Sequence, residues 1–180
     1  LVKMWGPVKA VMGSAHASYQ TRTIGTGVRA GVEFGVTVPT HISGLIQFES
    51  GAAVTITTSF DVWKHQQNHI ELYGRKGSMV VSDPNQFEGQ ILVSDHGADW
   101  VSVAQTHKYG DGNYRILGLA DMAQAIHDKR PHRASLELSL HVLEVMEGLV
   151  TSAHEGRRIL MHHTCSRPEA LSADLPYGIL

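Results

Sequence analysis

The strongest constraint on the fold of this chain is the alternation of apolar and polar residues between Pro39 and Asn85. A period of two is typical of a β-strand with one buried face. Repeated along this segment and broken by glycines, it predicts a meander of antiparallel strands. The apolar residues assigned to the first two strands are Ile42, Ile46, Phe48, Val54, Ile56 and Phe60.

The same pattern sets the register of the hairpins. A slip of one residue would turn every apolar side chain to the wrong face, so Ile46 must pair with Val54. The loop that remains is residues 49–51, and a three-residue hairpin needs a left-handed residue at its third position. Gly51 adopts that conformation without steric cost. A second hairpin is predicted to turn at residues 74–77.

Composition excludes several classes of protein. A length of 180 residues, 42% of them hydrophobic and 18% charged, predicts one globular domain over residues 1–180 with a core of its own. The net charge of −2 disfavours nucleic-acid binding, and no apolar run approaches the ~18 residues of a membrane span. A single cysteine, Cys165, excludes an intrachain disulfide and favours a cytoplasmic location.

Other elements are predicted from glycine, proline and capping residues and from the spacing of apolar residues. Residues 18–38 contain four glycines and little period, which indicates a long ordered loop with one short strand. Helical spacing runs from Ile116 to Lys129, before Arg130-Pro131, and Ser135 is a good N-cap for a second helix. Further elements are predicted as a helix end at Leu1–Trp5 and strands at Val8–Ala17, Gln90–Ser94, Asp99–Ala104 and Arg157–His162.

The second helix is predicted to pack widely against a sheet. Two adjacent apolar stripes, one beginning at Leu136, cover more than half of its circumference, and His141 and Glu144 lie opposite them. Strands followed by helices indicate an α+β fold. We expect an open, mostly antiparallel β-sheet with two or three helices packed on one face, and no Rossmann domain.

Several segments together carry a family resemblance. They are "GPVKAVMGSA", "PTHISGLIQFESGAAVTITTSFDVW", "IELYGRKGSMVVSDPN", "GLADMAQAI" followed by "RPHRAS", and "HVLEVMEGL". In this order they resemble the C-terminal half of the glucose-fructose oxidoreductase and inositol dehydrogenase (Gfo/Idh/MocA) family. The resemblance implies an enzyme whose first domain holds NAD or NADP and whose second domain shapes the substrate pocket and pairs subunits.

The motifs for hydride transfer are missing from this sequence. Gly25-Thr26-Gly27 is followed by Val28-Arg29-Ala30, so the dinucleotide fingerprint lacks its third glycine, and no βαβ unit surrounds it. The family's Glu-Lys-Pro motif is also absent. We therefore expect the chain to be a C-terminal fragment that lacks its dinucleotide-binding domain, binds no cofactor by itself and is inactive alone, with no catalytic residue of its own.

Five residues are candidates for substrate binding. Arg22, after Tyr19, can hold a hydroxyl or carboxylate with its planar guanidinium, although a solvated loop arginine is an equal alternative. Trp63 and His65 follow the second strand of the meander, where an aromatic ring can stack on a sugar or simply pack. For Arg115, before the first long helix, the resemblance implies a position near the cofactor or substrate, and a solvated helix end is the alternative.

Two histidines and two arginines have alternative roles in metal binding or in the structure. His65 and His69 have the spacing of a zinc pair on a helix, but His69 opens a strand and no third ligand is spaced with them. We therefore expect no metal site. Arg130 and Arg133, which flank Pro131, are predicted to be structural.

Two functions from different classes remain open. The first is the substrate-binding and subunit-association domain of an NAD(P)-dependent oxidoreductase for a sugar, inositol or related polyol. The second is a non-catalytic stand-alone module for ligand binding or oligomerisation. The resemblance also implies that the polar sheet face is a two-fold interface between copies, and a solvated sheet face is the alternative. Its residues are Ser43, Gln47, Thr55, Thr57, Ser59, Glu71 and Tyr73.

Overall fold

The computed structural model describes residues 1–174, 176 and 178, so the other four residues of the predicted domain lie outside the description. The helices are α1 (Val2–Trp5), α2 (Leu117–Asp128) and α3 (Leu136–Glu155). The strands are β1 (Val8–His16), β2 (Thr21–Thr23), β3 (Glu33–Gly35), β4 (His41–Phe48), β5 (Ala53–Ser59), β6 (Ile70–Gly74), β7 (Gly77–Val81), β8 (Ile91–Asp95), β9 (Val101–Val103) and β10 (Ile159–Leu160).

The strands form three antiparallel sheets. Their orders are β10-β1-β4-β5, β2-β3 and β6-β7-β8-β9. The predicted α+β class, with open antiparallel sheets and helices, is confirmed. The predicted meander is however divided, because β5 and β6 belong to different sheets. Residues 60–69 between them are too many for a tight turn, so nothing local sets a register between these two strands.

The chain divides into two compact units. The first contains residues 1–63 and 134–168, and the second contains residues 64–133 and those described from 169 onward. The first unit holds the sheet that contains β1 together with α3, and the second holds the sheet that contains β7 together with α2. No helix in the described part of the chain has both the length and the hydropathy needed to cross a bilayer.

Both predicted hairpin registers are confirmed. Ile46 pairs with Val54, and the Phe48 amide closes the loop on the Ala52 carbonyl at 2.9 Å. Gly51 has φ +87°, the left-handed conformation that this loop requires. In the second hairpin, Ile70 pairs with Val81 and Gly74 with Gly77.

The core of the first unit lies between α3 and the β1–β4 pair. The two layers approach closely at Gly13, where an added Cβ would lie 2.4 Å from the Leu149 carbonyl oxygen. The Gly13 amide donates to Ser152 Oγ at 3.0 Å, and that hydroxyl donates to the Arg157 carbonyl at 2.6 Å. The buried core residues are Val2, Val8, Val11, Ile46, Phe48, Val145, Leu149 and Cys165.

The predicted orientation of α3 is wrong at His141. This side chain is 0% exposed, whereas Leu136 is 77% exposed. The imidazole Nε2 accepts the Val8 amide at 2.8 Å, so Nδ1 carries the proton and donates to the His163 carbonyl at 2.8 Å. The Val8 amide and the His163 carbonyl would lack a hydrogen-bond partner without this ring. His141 is therefore buried, although the amphipathic pattern of α3 predicts that it is exposed.

Residues 18–38 contain more regular structure than the predicted loop with one strand. β2 and β3 pair antiparallel, with Arg22 opposite Phe34. The loop between them is closed by hydrogen bonds from the Ile24 amide to the Val32 carbonyl at 3.0 Å and from the Gly31 amide to the Ile24 carbonyl at 2.8 Å. Short strands of three residues leave little periodic signal, which explains why the pairing was not predicted.

In the second unit, Asp121 of α2 is buried between two arginines. Its carboxylate accepts from Arg130 Nη2 at 2.9 Å, from the Arg133 amide at 2.7 Å and from Arg133 Nη1. Burial raises the pKa of Asp121, but these donors outweigh burial and hold the pKa below its usual value. The two arginines thus tie the segment after α2 to the helix, a contact consistent with their predicted structural role.

Candidate functional site

Polar residues gather at one end of the β1–β4–β5 ladder. The register places His16, His41 and Ser59 side by side in one row across the three strands. Thr40 immediately precedes β4, and Asp61 lies two residues beyond the end of β5. The three strands therefore deliver side chains from three distant parts of the sequence to one place.

Asp61 is the centre of this cluster. Its side chain is 6% exposed and accepts hydrogen bonds from Thr40 Oγ1 at 2.5 Å, from the Ser18 amide at 3.4 Å and from Arg22 Nη2. The Thr40 hydroxyl is the main cause that lowers the pKa of Asp61 to about 2; burial opposes it, and Ser18 and Arg22 add to it. The carboxylate is therefore charged at neutral pH.

Arg22 lies between two aromatic rings. The guanidinium carbon is 4.9 Å from the centre of the Tyr19 ring and 4.6 Å from that of Phe60. Such stacking with a planar cation is favourable, and the ion pair with Asp61 holds Nη2 of the guanidinium. The Arg22 guanidinium is therefore already engaged within the protein. Its predicted direct contact with a substrate stays a prediction.

The rings beside Arg22 are open to solvent. Tyr19 is 45% exposed and Phe60 is 74% exposed; Trp63, three residues after Phe60 in sequence, is 92% exposed. The prediction that Phe60 faces the apolar side of β5 is wrong, because the strand ends at Ser59 and the Phe60 ring turns to Arg22 instead. An exposed group of aromatic residues is a frequent feature of ligand-binding surfaces.

A second set of hydrogen bonds braces the same strand end. The Asp61 amide donates to Ser59 Oγ at 3.1 Å, and Ser59 Oγ lies 2.9 Å from His41 Nδ1. The other ring nitrogen of His41 lies 3.2 Å from Ser43 Oγ, and the His16 and His41 ring centres are 5.0 Å apart. Both nitrogens of His41 thus have hydroxyl partners, and the network holds the turn that carries Phe60.

The sequence analysis named Tyr19 and Arg22 as candidates but did not name Asp61 or Phe60, which contact Arg22. Asp61 lies 39 residues from Arg22, so no local spacing relates the two. The available signal was the strand register, because pairing β1, β4 and β5 correctly brings His16, His41 and Ser59 into one row.

In the second unit, Arg115 lines a small cavity of about 240 Å³. Its Nη2 donates to the Asn85 carbonyl at 3.1 Å and to Asn85 Oδ1 at 2.9 Å. The Phe87 ring lies edge-on to Tyr114, with ring centres 5.8 Å apart. The cavity is bounded by Asn85, Gln86, Phe87, Glu88, Gly112, Asn113 and Arg115.

His65 also belongs to the second unit and is exposed. Its ring lies 5.9 Å from that of His69, and His69 Nε2 lies 3.8 Å from Asp83 Oδ2. Across residues 1–174, 176 and 178, no group of three or more His, Cys, Asp or Glu side chains is placed to hold a metal ion. Of the five predicted site residues, Tyr19, Arg22 and Trp63 lie in the first unit, and His65 and Arg115 in the second.

The glycines of the incomplete dinucleotide fingerprint lie in a hairpin. Gly25 and Gly27 fall in the loop between β2 and β3, both of which are strands of one antiparallel pair. A dinucleotide-binding turn instead leads from a strand into the N-terminus of a helix, where the pyrophosphate is bound. This segment therefore has neither the sequence nor the context of that turn.

Comparison with known families finds a match to part of the chain. Residues 2–80 match the family model described as the GFO/IDH/MocA C-terminal domain. The resemblance stated from sequence is thereby confirmed over the segment that contains β1–β6 and nearly all of β7. No curated protein matches the chain in sequence.

Solved structures share the fold. Levoglucosan dehydrogenase in its apo form is 19% identical, with a TM-score of 0.69 over 89% of this chain and 47% of its own. Its complex with NADH and L-sorbose matches at 19% identity, with a TM-score of 0.66 over 86% and 45%. An aldose-aldose oxidoreductase from Caulobacter crescentus, complexed with glycerol, is 19% identical with a TM-score of 0.59 over 86% and 41%. This chain spans less than half the length of these proteins.

Proposed function

We propose that this chain is the substrate-binding and subunit-association domain of an NAD(P)-dependent oxidoreductase that acts on a sugar, inositol or related polyol. We assign residues 1–180 to a single C-terminal domain and place the dinucleotide-binding domain and the hydride-transfer residues outside this chain. In such an enzyme the nicotinamide carries out the hydride chemistry, and the protein binds and orients the substrate. The family match of residues 2–80 supports this assignment.

The cavity around Arg115 is the observation that carries the substrate class. Arg115 and Glu88 bring one positive and one negative charge to its wall, and Gln86 and Asn113 bring amides. This balance favours a neutral ligand over a phosphate or a dicarboxylate. Sugar hydroxyls donate and accept hydrogen bonds, and the cavity offers donors from guanidinium and amide groups and acceptors from amide and carboxylate groups.

The solved relatives are consistent with this class of substrate. The levoglucosan dehydrogenase structures contain NADH with L-sorbose or with levoglucosan, and the aldose-aldose oxidoreductase contains glycerol. L-sorbose, levoglucosan and glycerol are sugars, sugar derivatives or polyols. NADH is the cofactor in the levoglucosan dehydrogenase complexes. We extend both the ligand class and the use of NAD or NADP to the enzyme that contains this chain.

Association is proposed through the outer face of the β1–β4–β5 sheet. Thr55, Thr57 and Gln47 are exposed on this face, and Met12 and Leu45 add exposed apolar side chains in its centre. A flat face with an apolar centre and a hydroxyl-rich surround suits a two-fold interface. Light scattering of the protein tests this association, and a monomer at tens of micromolar would contradict it.

We place the enzyme in the cytoplasm, where a free, buried Cys165 stays reduced.

Turnover by the complete gene product tests the proposed activity. Reduction of NAD or NADP is followed by absorbance over a panel of sugars, cyclitols and acyclic polyols. Arg115→Ala should raise the KM for the best substrate about tenfold, since a charge-assisted hydrogen bond is lost. The matched control is Arg75→Ala, which removes an exposed arginine from the β6–β7 turn. If no member of the panel is turned over, the stand-alone binding or oligomerisation module is favoured instead.

A further inference from the structure

The loop that carries Asn85 is fixed by its own hydrogen bonds. The Asn85 amide donates to Asp83 Oδ1 at 2.8 Å, and the Gln86 amide donates to the Asp83 carbonyl at 3.0 Å. An aspartate that accepts from the backbone two residues on is typical of a tight turn. This turn places Asn85 and Gln86 on the wall of the cavity that also contains Arg115. All of these residues belong to the second compact unit.

Asn85 holds one nitrogen of Arg115 with two acceptors. Arg115 Nη2 donates to the Asn85 carbonyl at 3.1 Å and to the side-chain oxygen Oδ1 at 2.9 Å. Nη2 has two N–H groups, so Asn85 supplies as many acceptors as this nitrogen has protons. No other acceptor among the described residues binds this guanidinium, so the N–H groups of Nε and Nη1 remain for a ligand.

The nitrogen that Asn85 occupies decides how an arginine binds anions. A guanidinium binds a carboxylate or phosphate bidentately through two parallel N–H groups. Nη2 belongs to both of the edges that offer such a pair, with Nε on one edge and with Nη1 on the other. An arginine whose Nη2 is occupied therefore retains only single donors, which suit the isolated oxygen of a hydroxyl group.

We propose that Asn85 is a specificity-determining residue, which blocks the bidentate edges of Arg115 and thereby makes the cavity select neutral, hydroxyl-bearing substrates against sugar acids. Asn85 acts through Arg115 and is thus a positioning residue. This inference rests on the proposed function and deepens it, because it assigns the preference for a neutral ligand to one contact rather than to the overall charge of the cavity.

The ratio of affinities for a sugar acid and for its neutral counterpart tests this inference. The ligand pairs are glucose with glucuronate and sorbitol with gluconate, in which a carboxylate replaces a CH2OH group. KM values, or inhibition constants against the best substrate of the panel, are measured with the complete enzyme. The wild type should bind the neutral member more tightly. Asn85→Ala removes Oδ1 and opens a paired edge, so the ratio should shift about tenfold toward the acid, the effect of one charge-assisted hydrogen bond.

Three comparisons separate an occupied edge from charge and from stability. In an Arg115→Lys background, Asn85→Ala should leave the ratio unchanged, because an ammonium group has no paired edge. Glu88→Gln removes a negative charge from the cavity wall and should shift the ratio equally in both backgrounds, since a charge acts on any anion. Asn68→Ala removes an asparagine outside the cavity, bonded to Glu71, and should leave the ratio unchanged. A general loss of stability cancels, because the ratio compares two ligands on one variant.

Each outcome supports or overturns the inference. A shift toward the acid in Asn85→Ala that disappears in the Arg115→Lys background supports it. An equal shift in both backgrounds overturns it, because Asn85 then repels anions without acting through the guanidinium. If Arg115→Lys binds neither ligand, the single variant Asn85→Ala decides; Asn85 is exposed, so this variant should fold.

Failure of this inference is distinguishable from failure of the proposed function. An enzyme active on neutral sugars or polyols whose ratio does not move in Asn85→Ala overturns the role of Asn85 and leaves the proposed function standing. A wild-type enzyme that binds the acid more tightly than its neutral counterpart also overturns that role. A complete enzyme that binds no member of either pair and turns over no sugar or polyol overturns both.

Discussion

The close contact between α3 and β1 makes Gly13→Ala the most informative substitution for the fold. The added Cβ would lie 2.4 Å from the Leu149 carbonyl oxygen and 3.1 Å from its carbonyl carbon. Both neighbours are helix backbone, which cannot rotate away as a flexible side chain can. The helix must therefore move by about 1 Å to restore the contact distance of about 3.4 Å that ordinary Cβ atoms keep.

The expected cost has two parts. Overpacking of a tight core costs about 1–3 kcal/mol. The shift also weakens the 3.0 Å hydrogen bond from the Gly13 amide to Ser152 Oγ, which contributes about 1 kcal/mol. We expect a loss of about 2–4 kcal/mol in the free energy of unfolding of the first unit. For a protein of this size the melting temperature should fall by about 5–15 °C.

Calorimetry or circular dichroism melting measures this change. Gly118→Ala is the matched control, because its added Cβ in α2 meets nothing within 4 Å. That variant should match the wild type or gain about 0.5–1 kcal/mol, since alanine favours a helix over glycine. A melting temperature for Gly13→Ala within 2 °C of the wild type would refute the close seating of α3 on β1.

Two further predictions concern buried polar groups. His141→Leu leaves the Val8 amide and a carbonyl unpaired and should cost about 2–4 kcal/mol in urea unfolding, whereas the exposed His154→Leu should cost less than 0.5 kcal/mol; equal costs would contradict the assigned hydrogen bonds. Because the pKa of Asp121 is lower in the folded than in the unfolded state, its charge stabilises the fold above the unfolded pKa of about 4, and this stabilisation is lost as pH falls through the folded pKa. The stability difference between wild type and Asp121→Asn should therefore be largest near pH 7 and shrink below about pH 4, and a constant difference would contradict the ion pairs.

Local chemistry made part of the fold predictable. Ile46 pairs with Val54 because period and loop length agree, and Gly51 supplies the conformation that the loop needs. Ser135 was predicted as an N-cap, and its hydroxyl accepts the Leu138 amide at 3.2 Å. In each case the deciding interactions join residues less than ten positions apart.

Long-range partners explain what was not predicted. His141 was placed on the solvent side of α3, because its partner Val8 is 133 residues away and leaves no mark on the helical pattern. Asp61 was missed for the same reason, since its donors lie 21 to 43 residues earlier. A buried polar side chain can be recognised only when the backbone groups or charges that it satisfies are known.

The first compact unit is assembled from two stretches of sequence, with residues 64–133 between them. During translation, β1, β4 and β5 leave the ribosome long before α3 is synthesised. The apolar face of these strands is therefore exposed to solvent during this interval. The amides of Val8 and Gly13 gain their side-chain acceptors only when residues 141 and 152 emerge. Nascent chains halted before α3 should consequently depend on chaperones and be sensitive to proteases, and a premature stop codon in this interval should abolish the accumulation of soluble protein.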